Sequence, residues 1–364
     1  MNIQVTQENL SRALSNVSRV ATSSRGALPI LSNILIKTTD GRLTISATNL
    51  EIAITEVIGA KVMREGSITL PAKLIQEYVS SLPKGTVTME LEDHKLKLSC
   101  GDYTSTINGT LADDYPVIPQ AGDKHIWKIN SAVLKKALSQ VVFAASSDDA
   151  RPVLTGVLLH TVGEDVFFAA TDSYRLSEKR VGTSKSEISL LIPGSSLNDL
   201  QRILSDDEAD VFVYGEGDQV AFKVGDIELV SRLIEGTYPD YRKLLPAKFE
   251  SSAELERSEY VSATKLASLF ARESAGAITV SVKPDTKSLN IQSSASQLGE
   301  NSTSLSASVE GDGVISLNSR FLLDGLQSLE GDTVQMSLNG KLDPCVLRAP
   351  EHDDYLHIIM PLKS

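Results

Sequence analysis

The sequence predicts an α+β fold of three tandem copies of one β-rich domain carrying two helices, and three observations predict it. First, a strand-turn-helix pattern recurs at 70–82, 192–204 and 317–329. The three stretches share an apolar sixth position (Ile75, Leu197, Leu322), an acidic eighth (Glu77, Asp199, Asp324) and a final leucine (Leu82, Leu204, Leu329). Second, the copies lie 122 and 125 residues apart in a chain of 364, so the period matches a domain duplication and is too long for a solenoid. Third, a capped amphipathic helix stands early in each repeat.

Taken in order, repeat one opens with Ile3 and Val5 in alternation, then Thr6 as N-cap of a helix over 7–19 with Leu10, Ala13, Leu14 and Val17 on one face. Repeat two begins alike, with Trp127 and Ile129, Asn130 as cap and a helix over 131–144. In repeat three Tyr260 and Val261 read as the strand, Ser262 as the cap and 263–273 as the helix. Short strands follow at 34–37, 43–47 and 52–57, at 156–160, 166–170 and 175–180, and at 277–282, 289–292 and 304–309. Asp40-Gly41 is the strongest hairpin signal, with Gly163-Glu164 and Pro284-Asp285 weaker. The repeated strand-turn-helix comes next, its helices at 73–82, 195–205 and 319–329, and two further strands close each unit: 87–91 with 95–99, 211–214 with 220–224, and 334–338 with 345–348. Two helices cannot cover both faces of so much sheet. Both therefore lie on one face, leaving strand edges to pair between neighbouring domains. Linkers near Gly122-Asp123 and over 249–253 divide the chain into 1–122, 123–250 and 251–364.

Hydrophobic residues at 41% and charged residues at 23% are ordinary for a soluble globular chain. Cys100 and Cys345 fall in different repeats without metal or disulfide spacing and read as buried reduced thiols. The residues after Met1 form no cationic start followed by an apolar run, and no stretch is long enough for a membrane span, so a cytoplasmic protein without membrane partners is expected.

No catalytic constellation emerges. Gly215-Glu216-Gly217 and Gly311-Asp312-Gly313 lack phosphate-loop residues and sit in hairpins. Gly194-Ser195-Ser196 lacks the closing glycine of a nucleophile elbow. The five histidines have no ligand spacing, with His352 and His357 flanking a terminal strand, and the acidic run Asp206-Asp207-Glu208 reads as a solvated turn. The expectation is no catalytic residue, no metal and no cofactor.

Charge is more informative. The net charge is −12, yet the helical segments hold Arg12, Arg19, Lys73, Lys135, Lys136, Arg202, Lys265, Arg272 and Arg320 against only five carboxylates, a balance of +4. A duplicated set of mildly basic helices facing an otherwise acidic exterior suits weak, salt-sensitive, sequence-blind contact with duplex phosphates. The competing reading is a three-domain β-rich scaffold for peptide or carbohydrate whose helices are ordinary cover.

The strings Leu28-Pro29-Ile30-Leu31-Ser32-Asn33, Thr48-Asn49-Leu50-Glu51, Ala170-Thr171-Asp172-Ser173-Tyr174-Arg175-Leu176, Tyr238-Pro239-Asp240-Tyr241-Arg242 and the end from Tyr355 to Lys363 resemble, in that order and over the whole length, the bacterial sliding clamp family, the β subunits of DNA polymerase III. The resemblance implies the DNA-clamp fold, with two copies closing head to tail into a ring, sheets outside and helices inside, threaded by double-stranded DNA. It implies a non-enzymatic processivity factor of the bacterial cytoplasm, nucleoid-associated during replication. Its partners would be the polymerase III α subunit, the clamp loader and other polymerases and repair proteins, all joined through short clamp-binding motifs. Carried over by position, the pocket for those motifs comprises Leu154, Thr171, Ser173, Tyr174, Arg175, Leu176, Pro239, Lys243 and Leu244 with Asn318, Phe321, Ile358, Met360, Pro361 and Leu362. Arg25 joins the helical cations as a DNA-facing residue, and the homodimer interface is expected at Tyr78, Leu82, Ile107, Leu269, Arg272 and Leu305.

Overall fold

The structure is a computed structural model that describes all residues except 24–27, 206–208, 247, 297–298 and 363–364, and the side chains of 22 and 23. Arg25 and the run Asp206-Asp207-Glu208 therefore lie outside the described residues. The α-helices among the described residues are α1 (Gln7–Ser23), α2 (Ala72–Ser81), α3 (Ser131–Val141), α4 (Gly194–Ile203), α5 (Arg257–Phe270) and α6 (Ser319–Ser328). Local chemistry starts several of them. The Thr6 hydroxyl accepts from Asn9 N–H at 3.4 Å, Asn130 Oδ1 from Ala132 N–H at 2.9 Å, and Asn318 Oδ1 from Arg320 and Phe321 N–H at 2.9 and 3.4 Å.

The chain forms two compact units, residues 1–135 with 195–233, and residues 136–194 with 234–364. In the first, an eight-stranded sheet runs in the order Trp127–Asn130, Asp210–Glu216, Gln219–Val224, Ile227–Arg232, Ile52–Gly59, Arg42–Thr48, Asn33–Thr39, Ser67–Pro71. Its halves come from different repeats and join where Val230 opposes Ala53 in antiparallel register. The second unit contains a nine-stranded sheet joined in the same way, Arg175–Thr183 against His352–Ile359 with Ser177 opposite His357. The expected pairing of strand edges between domains is thus present. It also explains why contacts gather the chain into two bodies although the repeat is threefold, because the central repeat gives half its strands to each neighbour.

One half-sheet remains in each unit. A five-stranded sheet of repeat one ends on the edge strand Tyr103–Asn108, and a four-stranded sheet of repeat three ends on Gly299–Ser306. By position in the repeat, Tyr103–Asn108 corresponds to Ile227–Arg232 and His352–Ile359, and Gly299–Ser306 to Ile52–Gly59 and Arg175–Thr183. These two strands are equivalents of the four that join repeats elsewhere.

The structure corrects several expectations. Helix α5 starts at Arg257, so Tyr260, Val261 and Ser262 lie inside it, and the segment 249–253 expected as a linker already contains the start of the strand Ser251–Glu256. Ser262 Oγ donates to the Ser258 carbonyl at 2.9 Å and Thr264 Oγ1 to that of Tyr260 at 2.8 Å, which is mid-helix bonding and not capping. The helix beginning at Ser131 ends at Val141 in a 3₁₀ turn, Val142–Ala144, and the stretch 304–309 is broken into Gly299–Ser306 and Ser308–Glu310. Each repeat ends on a third strand, not two, and His352 and His357 lie within the last of them, not on its flanks. The hairpin at Asp40-Gly41 has φ of 51° and 73°, as a type I′ turn requires. Both cysteines are buried free thiols, and burial pushes Cys345 up to about 12. Among the described residues no cluster could hold a metal, and no helix is long and apolar enough to cross a membrane.

A candidate peptide-binding site

The turn between the strands Asp165–Thr171 and Arg175–Thr183 positions the first group of expected pocket residues. Thr171 Oγ1 donates to the Arg175 carbonyl at 2.6 Å and accepts from Ser173 N–H at 3.1 Å, while Asp172 Oδ1 accepts from the amides of Tyr174 and Arg175, both at 2.9 Å. This closure puts Ser173 in the left-handed region, φ 78°, and turns Tyr174 outward, 64% exposed. The Tyr238 hydroxyl accepts from Thr171 N–H at 3.0 Å and so fixes the following Pro239 beside the turn.

Arg175 is the hub. Its guanidinium pairs with Asp172 at 3.0 Å and with Asp324 of α6 at 2.5 Å and donates to the Phe143 carbonyl at 2.8 Å. It lies over the rings of Phe143 and Phe321, 5.2 and 4.6 Å from their centroids. With its donors engaged and only 8% of the residue exposed, Arg175 is a structural clip and not an open contact for a peptide.

The 3₁₀ turn Tyr241–Leu244 carries Lys243 and Leu244, both exposed. It is held by the hydroxyl of Tyr241, which donates to the buried Glu178 carboxylate; Arg242 bonds the same carboxylate at 2.9 Å and stacks 4.4 Å from the Phe167 ring centroid. His160 Nε2 lies 2.7 Å from the Tyr241 hydroxyl. Burial, with Arg242 nearby, lowers His160 to about 4, so the ring is neutral at pH 7; burial, reinforced by Glu178, pushes Tyr241 up. Lys243 pairs with Asp240 at 2.9 Å.

The end of the chain closes the site. Met360 N–H donates to the Tyr174 carbonyl and Leu362 N–H to that of Ser316, both at 2.8 Å, and Ile358 opposes Leu176 in the sheet. The structure therefore brings together the expected pocket residues, with a division the sequence does not display. Leu154, Thr171, Leu176 and Ile358 are buried and form a floor, whereas Tyr174, Pro239 and Leu244 are exposed and Phe321, Met360, Pro361 and Leu362 half-buried. Sequence reasoning missed Arg151, whose Nη1 bonds Ser173 Oγ at 2.9 Å, and the supports Phe143, Asp324, Glu178 and His160. Only the shared acidic position of the repeat pointed to Asp324.

The expected DNA-facing cations are mostly exposed, but several have acidic neighbours: Arg12 with Glu56 at 3.5 Å, Lys73 with Glu77 at 4.0 Å, Lys136 with Glu330 at 2.5 Å and Arg202 with Asp199 at 3.7 Å. Arg19 is exposed and Lys135 partly covered. Lys265, Arg272 and Arg320 are exposed, although Arg272 stands in a 3₁₀ turn past the end of α5. Of the expected interface residues, Leu82 and Ile107 are buried within the chain's own core, Tyr78 and Leu305 are partly covered, and Leu269 and Arg272 are exposed.

Residues 1–119, 128–240 and 242–363 match, respectively, the N-terminal, central and C-terminal domains of the DNA polymerase III beta subunit. The chain is 32% identical to the beta sliding clamp of Synechococcus elongatus over 374 residues, covering 100% of this chain and 99% of that one. It is 31% identical to the beta sliding clamp of Bacillus subtilis, covering 100% of both. A crystal structure of the DNA polymerase sliding clamp from Bacillus subtilis superposes with a TM-score of 0.95 at 30% identity, over 100% of this chain and 99% of that one.

Proposed function

The chain belongs to the family of DNA polymerase III beta subunits, the beta sliding clamps, and from that premise we propose how its own residues do the work of one. A sliding clamp encircles duplex DNA as a head-to-tail dimer and tethers the polymerase to it. The observation that carries the reading to this chain is the pair of unjoined edge strands, Tyr103–Asn108 and Gly299–Ser306. Every equivalent strand in the chain is paired antiparallel with a strand of the neighbouring repeat. Continuing the same rule, Gly299–Ser306 of one copy pairs with Tyr103–Asn108 of the next, and two copies pair both of these edges by closing on themselves. Exposed Leu266 and Leu269 on α5 add apolar contact to that junction.

The helical bounds leave nine cations against five carboxylates on the six helices, because Arg257 and Glu259 enter α5 as Arg272 and Glu273 leave it. A balance of +4 on helices within a chain of −12 is enough to favour duplex in a bore and too little to grip it. DNA is then held by enclosure, and the protein is a non-catalytic factor of the bacterial cytoplasm. The domains are those of the sequence reading, 1–122, 123–250 and 251–364.

The polymerase, the clamp loader and other replication and repair proteins dock through short motifs in the site built around Tyr174, Pro239, Leu244, Met360 and Leu362. The test is titration of a fluorescein-labelled Gln-Leu-Ser-Leu-Phe peptide. Met360→Ala with Leu362→Ala removes one apolar wall and is expected to cost about 3 kcal/mol, a roughly hundredfold loss of affinity, with the dimer intact. Unchanged affinity would place the motif elsewhere.

A further inference from the structure

The turn that builds the peptide site exists twice. In repeat one Thr48 Oγ1 donates to the Ile52 carbonyl and accepts from Leu50 N–H, both at 3.0 Å, and Asn49 Oδ1 accepts from the amides of Glu51 and Ile52 at 3.0 and 2.9 Å. The third residue of the turn, Leu50, has φ 78°, the value found at Ser173. The Tyr115 hydroxyl accepts from Thr48 N–H at 3.2 Å as Tyr238 does from Thr171, and each tyrosine is followed by a proline. Beside this second turn lies a hollow of about 360 Å³ whose walls include Leu50, Ala53, Val117, Gln219, Val230 and Arg232.

Two features separate this hollow from ordinary surface. Leu50 holds a left-handed backbone that is strained for a residue with a branched side chain, and in it the side chain stays 45% exposed. Val117, just past the tyrosine-proline pair, is 94% exposed. Two large apolar side chains are thus presented at the mouth of a recess. Arg232 is the one cation of the lining among the described residues, and its carboxylate neighbour Glu51 stands 3.9 Å away with both side chains more than half exposed. Such a pair is worth little and yields readily to a better-placed carboxylate that the guanidinium can grip with two donors.

We propose that this hollow is a second peptide site, taking the carboxy-terminal end of a partner chain: two apolar side chains against Leu50 and Val117, and the terminal carboxylate on Arg232. The proposal rests on the reading of the first site as a motif pocket, since the shared turn is what argues for a peptide occupant. A partner with two motifs could hold one protomer at both sites, gaining through effective concentration what each lacks in affinity.

The experiment uses the full-length protein and fluorescein-labelled Gln-Leu-Ser-Leu-Phe with a free or an amidated carboxyl end. In the Met360→Ala/Leu362→Ala variant a weaker component of one peptide per protomer should remain. Val117→Asp, a change at a nearly fully exposed position, should weaken that component at least tenfold, and amidating the peptide should weaken it severalfold. Methyl resonances of Leu50 and Val117 should shift on titration. No remaining component, or one that survives Val117→Asp, overturns the proposal. Loss of all binding in Val117→Asp, with binding undiminished in the Met360/Leu362 variant, would instead retain this site and reject the first. A change of molar mass that depends on Val117 without peptide would assign the hollow to a second copy of the chain and also overturn it.

Discussion

Arg175 gives the sharpest test of how the candidate site is built. Replacing it by Met keeps an apolar stem between the Phe143 and Phe321 rings but removes the charge that Asp172 and Asp324 share. Their side chains are 15% and 31% exposed, so neither carboxylate can rehydrate fully. Breaking such a buried pair costs about 3–5 kcal/mol, and the exposure of Asp324 argues for the lower end, roughly 3 kcal/mol, or a hundredfold easier opening. Removing Asp324 as well, as Arg175→Met/Asp324→Leu, should recover about half of the loss, because only Asp172 is then left without its cation. The single tryptophan, Trp127, belongs to the first unit and is blind to this change, so the assay is hydrogen exchange read by mass spectrometry on peptides spanning 172–183 and 320–328, with 210–232 as internal reference. Exchange that is unchanged in the single variant while peptide affinity collapses would refute the clip and make Arg175 a direct ligand.

Leu266→Asp with Leu269→Asp removes two side chains that are 53% and 48% exposed in the single chain, so folding should be kept while the dimer weakens by about two orders of magnitude, read by sedimentation across dilution; an unchanged dimer would dismiss α5 from the interface. Stability should also fall as pH drops below about 6.5, because the unfolded chain takes up protons that His160 refuses until about 4 and His357, lowered by burial and then by Arg175, until about 3. Above that window the two imidazoles contribute no slope. His357→Gln should therefore show a shallower acid limb in urea denaturation, and an unaltered limb would mean that the ring is protonated in the fold.

Much of this architecture was legible because the repeat restates its own grammar. Thr6 and Asn130 cap as their spacing suggested, and in the copies at 70–82, 192–204 and 317–329 a strand runs directly into a helix. The start of α5 was not legible, for a physical reason. Its first amide, Arg257 N–H, donates to the distant Asp332 carbonyl at 2.7 Å, while Glu256 supplies no side-chain cap. A terminus satisfied by tertiary contact leaves no local signal, and Ser262 imitated one. The site shows the same limit. The strings around Thr171 and Tyr238 named the right neighbourhood, yet nothing in them says that Arg175 is consumed by Asp324 across 149 residues or that Glu178 ties down Tyr241.

Retention by enclosure is tested by loading the labelled protein onto nicked circular DNA with a clamp loader and following release at raised salt before and after the circle is cut. The intact circle should keep the protein at salt concentrations that would dissolve a few phosphate contacts, and linearisation should free it within the time needed to slide off an end. Equal loss from circle and linear DNA would contradict it.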